Sequence, residues 1–379
     1  MFDTHRSTRG VTCTVTLLFV SVALLAASCF AASPLEVLYV AERQSETVTL
    51  LTYNVNPQTA VATQVGSMAV PSSSINPLTV GGKHFLYVWN GSSVWVYPTG
   101  FDGAPQAQPT QQLNFNFAHP VYSFLVDPDG KFAYAAVLWR DSHGYSDAAI
   151  TLFTIDATSG KLTRAHRVVA TYSDYYTYLI GFNFGVSGHR LFAKSFDDGP
   201  YTCMPGYDFY SVNQTTGTLG PLTTLIQEGA DCGGTATVAV SDTLTAGQST
   251  CCSAGSGYLT ITNVFTNRQI SCQAPTFCGD DAGMLVFDPA SKNIVYPDFD
   301  VNKTFIGHLD FENLQLIQGP STIPGTPHVY FSPDSLMLYA QTPSWIAAYA
   351  FDSSTGNLLV HKGFAVKGKV TIAPATFYQ

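Results

Sequence analysis

A turn-and-strand unit recurs along this chain at a spacing near that of a propeller blade, and no other feature restricts the possible folds as strongly. Its clearest copy is Asp127-Pro128-Asp129-Gly130-Lys131 followed by Tyr134. Worn copies are Gly81-Gly82-Lys83 with Tyr87, Ser187-Gly188-His189 with Phe192, Asp288-Pro289-Ala290 with Tyr296, and Ser332-Pro333-Asp334 with Tyr339. Adding Tyr39 and Tyr258 gives seven aromatic anchors, separated by 48, 47, 58, 66, 38 and 43 residues. A second half follows most anchors: an alternating strand, a short polar turn and another strand. Ile150–Asp156 leads to Thr158-Ser159-Gly160, Tyr207–Asn213 to Thr216-Gly217, and Ile346–Asp352 to Thr355-Gly356. Period-two alternation bounded by Asp, Ser and Gly indicates half-buried strands joined by hairpins.

Each unit therefore supplies four strands, A to D from inside outward. Such a sheet cannot bury its faces alone and stacks on its neighbours. The expected fold is all-β: a seven-bladed β-propeller of four-stranded antiparallel blades. The first copy lacks a strand A before Leu38-Tyr39-Val40, and Val370–Pro374 resembles a strand A with no blade after it. The two ends are expected to share one blade and close the ring. A two-sheet sandwich also has many short strands but lacks this internal repeat.

Arg6 and Arg9 precede an apolar run from Val11 to Ala27, and Cys29-Phe30-Ala31 offers a small-x-small cleavage site. Residues 1–31 read as a secretory signal peptide and 32–379 as a single propeller domain. A retained anchor, or lipid on Cys29 after Ala26-Ala27-Ser28, are the competing readings. No later segment is long and apolar enough to span a bilayer. The expected location is secreted, periplasmic or cell-surface. A net charge of −9 without a basic stripe argues against a nucleic-acid partner. Only 11% of residues are charged while 13% are aromatic, which suits a rigid strand-rich protein.

Outside the leader, Cys203, Cys232, Cys251, Cys252, Cys272 and Cys278 fall in one window. An even number in an exported chain implies disulfides. Cys272 is expected to pair with Cys278 across a short loop, Cys232 with Cys251 or Cys252, and Cys203 with the one left over. The window covers the longest anchor gap, so an insertion stapled by these bonds is expected there. Zinc is the alternative, without a Cys-x2-Cys knuckle or a nearby His to support it. No metal or other cofactor is expected. Asp298-Phe-Asp300-Val-Asn302 only begins like a calcium loop, because Lys303 and Leu309 hold the required Gly and Glu positions.

Propeller connectivity puts the D-to-A and B-to-C connections on one face and the A-to-B and C-to-D turns on the other. The first, upper face carries the longer loops and is the expected binding surface. Before strands A come Asn76, His119, Tyr122, Asp280, Asp281 and His328. At the ends of strands B come Asn90, Arg140, Asp141, Lys194, Asp197, Asp198, Asp298, Asp300 and Gln341. From this set, His119 and His328 are the candidate bases and Arg140 the candidate anchor for substrate charge. Tyr122, Asp141, Asp281 and Gln341 are candidate ligand contacts. There is no phosphate-binding glycine loop and no Gly-x-Ser-x-Gly elbow.

Asp127-Pro-Asp-Gly-Lys-Phe-Ala-Tyr134, Phe331-Ser-Pro-Asp334 with Leu338-Tyr339, and the Asp-x-x-(Ser/Thr)-Gly-x-Leu turns at 156–162 and 352–358 resemble the seven-bladed lactonase-like propellers. That group includes phosphogluconolactonase-type and muconate-cyclising proteins, and the resemblance covers essentially the chain after the leader. It implies the propeller and a site at the channel mouth. Enzymatic members carry a His where this chain has Tyr122, with His119 three residues earlier. They also carry Arg-His before Phe-x-Pro, where this chain has Pro327-His328, and Asn-Glu after the next strand, where Ala340-Gln341-Thr342-Pro343 contains no acid. The expectation is an exported scaffold that binds a small molecule or a protein, as a monomer, with a degenerate catalytic pattern. The alternative is a 6-phosphogluconolactonase-like lactone hydrolase using His119 or His328.

Overall fold

The computed structural model describes residues 34–140, 146–174, 177–184, 190–197, 205–226, 237–241, 243–248, 257–274, 285–298 and 301–377. Every named element is a strand. In chain order these are β1 (Leu35–Gln44), β2 (Thr47–Val55), β3 (Ala62–Val70), β4 (Ser74–Val80), β5 (Lys83–Trp89), β6 (Ser93–Pro98), β7 (Gln111–Asn114), β8 (Val121–Val126), β9 (Phe132–Arg140), β10 (Ser146–Ile155), β11 (Leu162–Asp174), β12 (Thr177–Phe184), β13 (Arg190–Asp197) and β14 (Pro205–Val212). They continue with β15 (Leu219–Ile226), β16 (Thr237–Val240), β17 (Leu244–Gln248), β18 (Gly257–Asn263), β19 (Gln269–Ala274), β20 (Val286–Phe287), β21 (Asn293–Asp298), β22 (Lys303–Asp310), β23 (Gln315–Pro324), β24 (His328–Phe331), β25 (Met337–Thr342), β26 (Trp345–Asp352), β27 (Asn357–Ala365) and β28 (Lys369–Phe377).

They form seven four-stranded antiparallel sheets, a seven-bladed β-propeller. Blade 1 has the order β28-β1-β2-β3, and blades 2 to 7 take four consecutive strands each from β4 onward. The last strand of the chain is thus the innermost strand of the first blade, in register from Leu35↔Phe377 to Arg43↔Lys369. Ring closure by the two ends follows the expectation from the incomplete first and last copies.

Alternation along each strand B builds the cores between blades. In β1, Val37, Tyr39 and Ala41 pack with Ile75, Leu86 and Val88 of blade 2. Leu38 and Val40 face the other way, onto Met337, Tyr339 and Ile346 of blade 7. Equivalent layers join blades 2 and 3, 3 and 4, 5 and 6, and 6 and 7.

The anchors explain why Tyr recurs. The hydroxyls of Tyr39, Tyr87 and Tyr134 are buried and donate to the carbonyls of Gly103, Gly160 and Gly217, at 2.8, 2.7 and 2.7 Å. Each acceptor lies in the C–D turn of the following blade, so the anchor binds its neighbour across the seam. Most of these turns share one construction. Asn56, Asp156, Asn213, Asn263, Asp310 and Asp352 each accept the backbone N–H groups two and three residues on. Residues four further on turn left-handed, among them Gly160 (φ 67°) and Gly217 (φ 71°). A Cβ on Gly160 would sit 2.5 Å from Phe85, so backbone conformation and close packing both call for glycine there.

Two anchors need correction. Tyr258 lies on β18, the third strand of blade 5, paired with Gln273. The second strand is β17, where buried Ala246 holds the anchor position. Tyr296 is one residue late, because Val295 stands seven residues after Asp288, as Tyr134 does after Asp127. The outsized gap before Tyr258 therefore came from a misplaced anchor, since Ala246 follows Phe192 at an ordinary blade interval. Blade 5 has a short second strand, Leu-Thr-Ala-Gly-Gln, with no aromatic to betray it.

Candidate functional site

The turns of the lower face are held by structural hydrogen bonds, beside a groove of about 500 Å³ bordered by Lys83, Phe85, Phe101 and Thr158. Lys83 Nζ reaches the carbonyl of Thr158 at 3.0 Å, and the Asx turns above satisfy their own backbones. The described candidate residues singled out from the sequence lie on the upper face.

His119 lies in the connection entering blade 3 and is exposed. Its ring stacks on Trp139, near the upper end of β9, with centroids 5.7 Å apart and planes 15° off parallel. It borders a groove of about 730 Å³ between the B–C loop of blade 2 and the connection into blade 3, lined by Gly91, Asn114, Phe115, Asn116, Phe117 and Pro120 among others. The wall is braced from behind. Arg164 lies 4.9 Å over the Phe117 ring and donates to the Phe115 carbonyl, and Phe115 stacks on Phe117 at 5.8 Å. Asn116 is left-handed (φ 52°), which turns the chain at the groove's edge.

Tyr122, which stands where the resembled enzymes carry His, occupies a β-bulge. The pairing of β8 with β9 jumps from Val121↔Val137 to Ser123↔Ala136, leaving Tyr122 as the extra residue. It is 49% exposed. A bulge re-aims the side chain it carries, and here it does so beside the groove's connection.

His328 opens β24 in blade 7 and is exposed. Three blade steps separate it from His119, the widest separation a seven-membered ring allows. Gln341 lies across from it in β25 and is buried. Its Nε2 donates to the Val370 carbonyl of β28 at 2.8 Å, so this amide ties blade 7 to the ring-closing strand. Asn76 has a comparable role, its Nδ2 donating to the Phe124 carbonyl at 2.8 Å to join two neighbouring inner strands.

Arg140 ends β9, and of this residue only the strand position is described. Asp141, Asp280, Asp281, Asp198 and Asp300 lie outside the described residues, as do Cys203, Cys232, Cys251, Cys252, Cys278 and the segment 1–31 expected to be a signal peptide. Cys272 is described only as the β19 partner of Leu259. Among the described residues no group of three or more His, Cys, Asp or Glu is arranged to hold a metal. Asn116 lines the groove and Trp139 stacks on its His119, and neither was singled out from sequence. Trp139 precedes Arg140 on the same strand, and the signal available was its place at the upper end of a strand B.

No protein-family profile and no curated protein sequence matches the chain. Solved structures do. A Bacteroides fragilis protein described as a candidate 6-phosphogluconolactonase superposes with TM-score 0.58 at 14% identity, over 90% of this chain and 98% of that one. The periplasmic gluconolactonase PpgL of Pseudomonas aeruginosa gives 0.56 at 12%, over 89% and 99%. A Lactobacillus plantarum protein gives 0.57 at 11%, over 90% and 99%. At these identities the likeness is one of architecture, and it extends over nearly the whole of each neighbour: the chain has the fold of the lactonase-like seven-bladed propellers.

Proposed function

We propose that the chain is an exported lactonase-like propeller that binds a small molecule or a protein segment on its upper face, with a degenerate catalytic pattern. The groove at His119 carries this reading. Its described lining offers an imidazole, amides and aromatic rings. Lactone hydrolysis needs a base or activated water together with a group that stabilises the oxyanion. A lone stacked imidazole provides the first at most, while aromatic and amide surfaces suit recognition. The absence of an acid from Ala340-Gln341-Thr342-Pro343, where the resembled enzymes carry Asn-Glu, points the same way. PpgL is a periplasmic gluconolactonase by name, which agrees with export and keeps hydrolysis as the second reading, with His119 or His328 as base.

The test is kcat/KM on a panel of sugar and aliphatic lactones for the mature protein, His119→Ala and His328→Ala. Background rates in all three are expected, because losing a positioned base alone costs about 10²–10⁴ in rate. Robust turnover abolished by either substitution would overturn the scaffold reading. Intact mass of the protein from its own host is expected to place the mature N-terminus near Ala32.

A further inference from the structure

The seam where the ring closes contains two acids in contact. Glu36, near the start of β1, is fully buried and faces blade 7. Its carboxyl lies within hydrogen-bond reach of the Asp334 carboxyl, in the A–B turn of blade 7. Glu36 Oε2 accepts from the Thr376 hydroxyl at 3.3 Å, a β28 residue directly across the strand pair. Asp334 Oδ1 accepts from the Ser332 hydroxyl at 2.7 Å and from the Leu336 N–H at 3.0 Å. Glu36 Oε1 and Asp334 Oδ2 are both buried and receive no donor from the protein.

The neighbours supply no counter-charge. The groups acting on Glu36 are Asp334 from the turn, Ser332 beside it and Thr376 from β28, with no Lys, Arg or His among them. Tyr339 of β25 feels both carboxyls, and its buried hydroxyl finds no acceptor. Two facing carboxylates without a cation repel each other, and burial strips Glu36 and the inner Asp334 oxygen of hydration. A single proton between them removes one charge and supplies the missing donor.

We infer that Glu36 keeps its proton in the folded chain and donates it in a hydrogen bond to the Asp334 carboxyl, which fastens the strand pair made by the two chain ends to blade 7 and makes ring closure sensitive to alkali. Burial first, then the hydrogen bond and charge of Asp334, push the Glu36 carboxyl up to about 9. The native state therefore holds a proton that the unfolded chain releases near the ordinary value of 4.5. The stabilisation is complete below that value and is lost as pH rises through about 9.

The experiment is urea unfolding of the full mature chain between pH 5 and 10, with chelator present, for wild type and Glu36→Gln. Glutamine keeps the shape and a donor but cannot lose a proton. Relative to Glu36→Gln, the wild-type folding constant is expected to fall by up to about tenfold per pH unit from pH 5 to about 9, then level off. Parallel pH profiles would overturn the inference. So would calcium or sodium raising the stability of wild type but not of Glu36→Gln, which would put a cation where the proton is placed. If Glu36→Gln does not fold, infrared spectroscopy of the wild type at pH 8 decides. Among the described residues Asp127 is also pushed up, to about 6, and Asp288 is raised by burial, so the band is assigned to Glu36 by its loss near pH 9. A protonated-carboxyl band that vanishes by pH 10 supports the proton on Glu36, and its absence at pH 8 refutes it.

Discussion

Replacing Tyr87 with Phe deletes one hydroxyl from a buried seam and changes nothing else in the shape of the side chain. The hydroxyl donates to the Gly160 carbonyl at 2.7 Å, from a ring with no exposed surface. Removing it takes away the hydrogen bond and leaves a carbonyl in an apolar layer without that donor. Such a loss costs about 1–3 kcal/mol, more than the 0.5–1.5 that a hydrogen bond contributes net, because the abandoned acceptor stays desolvated. The molecule contains its own control. Tyr339 holds the same place in blade 7, is equally buried, and its hydroxyl has no acceptor. Tyr339→Phe is therefore expected to change stability by less than about 0.5 kcal/mol, or to raise it. Burial pushes the pKa of both hydroxyls up, so neither ionises at neutral pH and both substitutions compare neutral groups. Urea unfolding at pH 7, with equal m-values as the check on unchanged compactness, provides the comparison. Equal losses at the two positions would show that ring packing, and not the bond across the seam, sets the effect.

Glycine and cysteine positions give further tests. Gly160→Ala is expected to cost roughly 2–4 kcal/mol, from the left-handed backbone and from a Cβ driven 2.5 Å from Phe85. Gly82→Ala shares the left-handed backbone (φ 70°) but meets nothing within 4 Å, and about 1–2 kcal/mol is expected, so equal losses would refute the packing argument. A non-reducing peptide map is expected to link Cys272 to Cys278, and Cys232 to Cys251 or Cys252; six free thiols would remove the stapled-loop expectation.

Blade number and ring closure were legible because each repeat states its turn chemistry. Asp127, Asp288 and Ser332 all cap the start of a strand B, and counting seven residues onward reaches the seam position each time. Blade 5 escaped because Leu244–Gln248 packs through small residues, while Tyr258 on the next strand imitated an anchor. The site was less legible for a geometric reason. Position before a strand A fixes height on the upper face, but the blade number fixes the angle around the axis. His119 and His328 are alike in height and lie on distant blades, so similar sequence contexts do not make neighbours. Gln341 looked available because strand ends face the mouth, yet its amide turns sideways into the Val370 carbonyl. Nothing in sequence links Glu36 to Asp334, some three hundred residues later, except the closure itself.

That closure also sets an order of events. The strand most deeply buried in blade 1, with Val37 to Ala41 wholly enclosed, is among the first segments of the propeller to be synthesised. Its inner edge has no partner until Lys369–Phe377 exists. A growing chain can stack blades one on another, but the ring cannot lock before the last nine-residue strand is released. A ribosome that stops short of that strand leaves an arc with an open hydrogen-bonding edge on β1, a template for pairing with another chain.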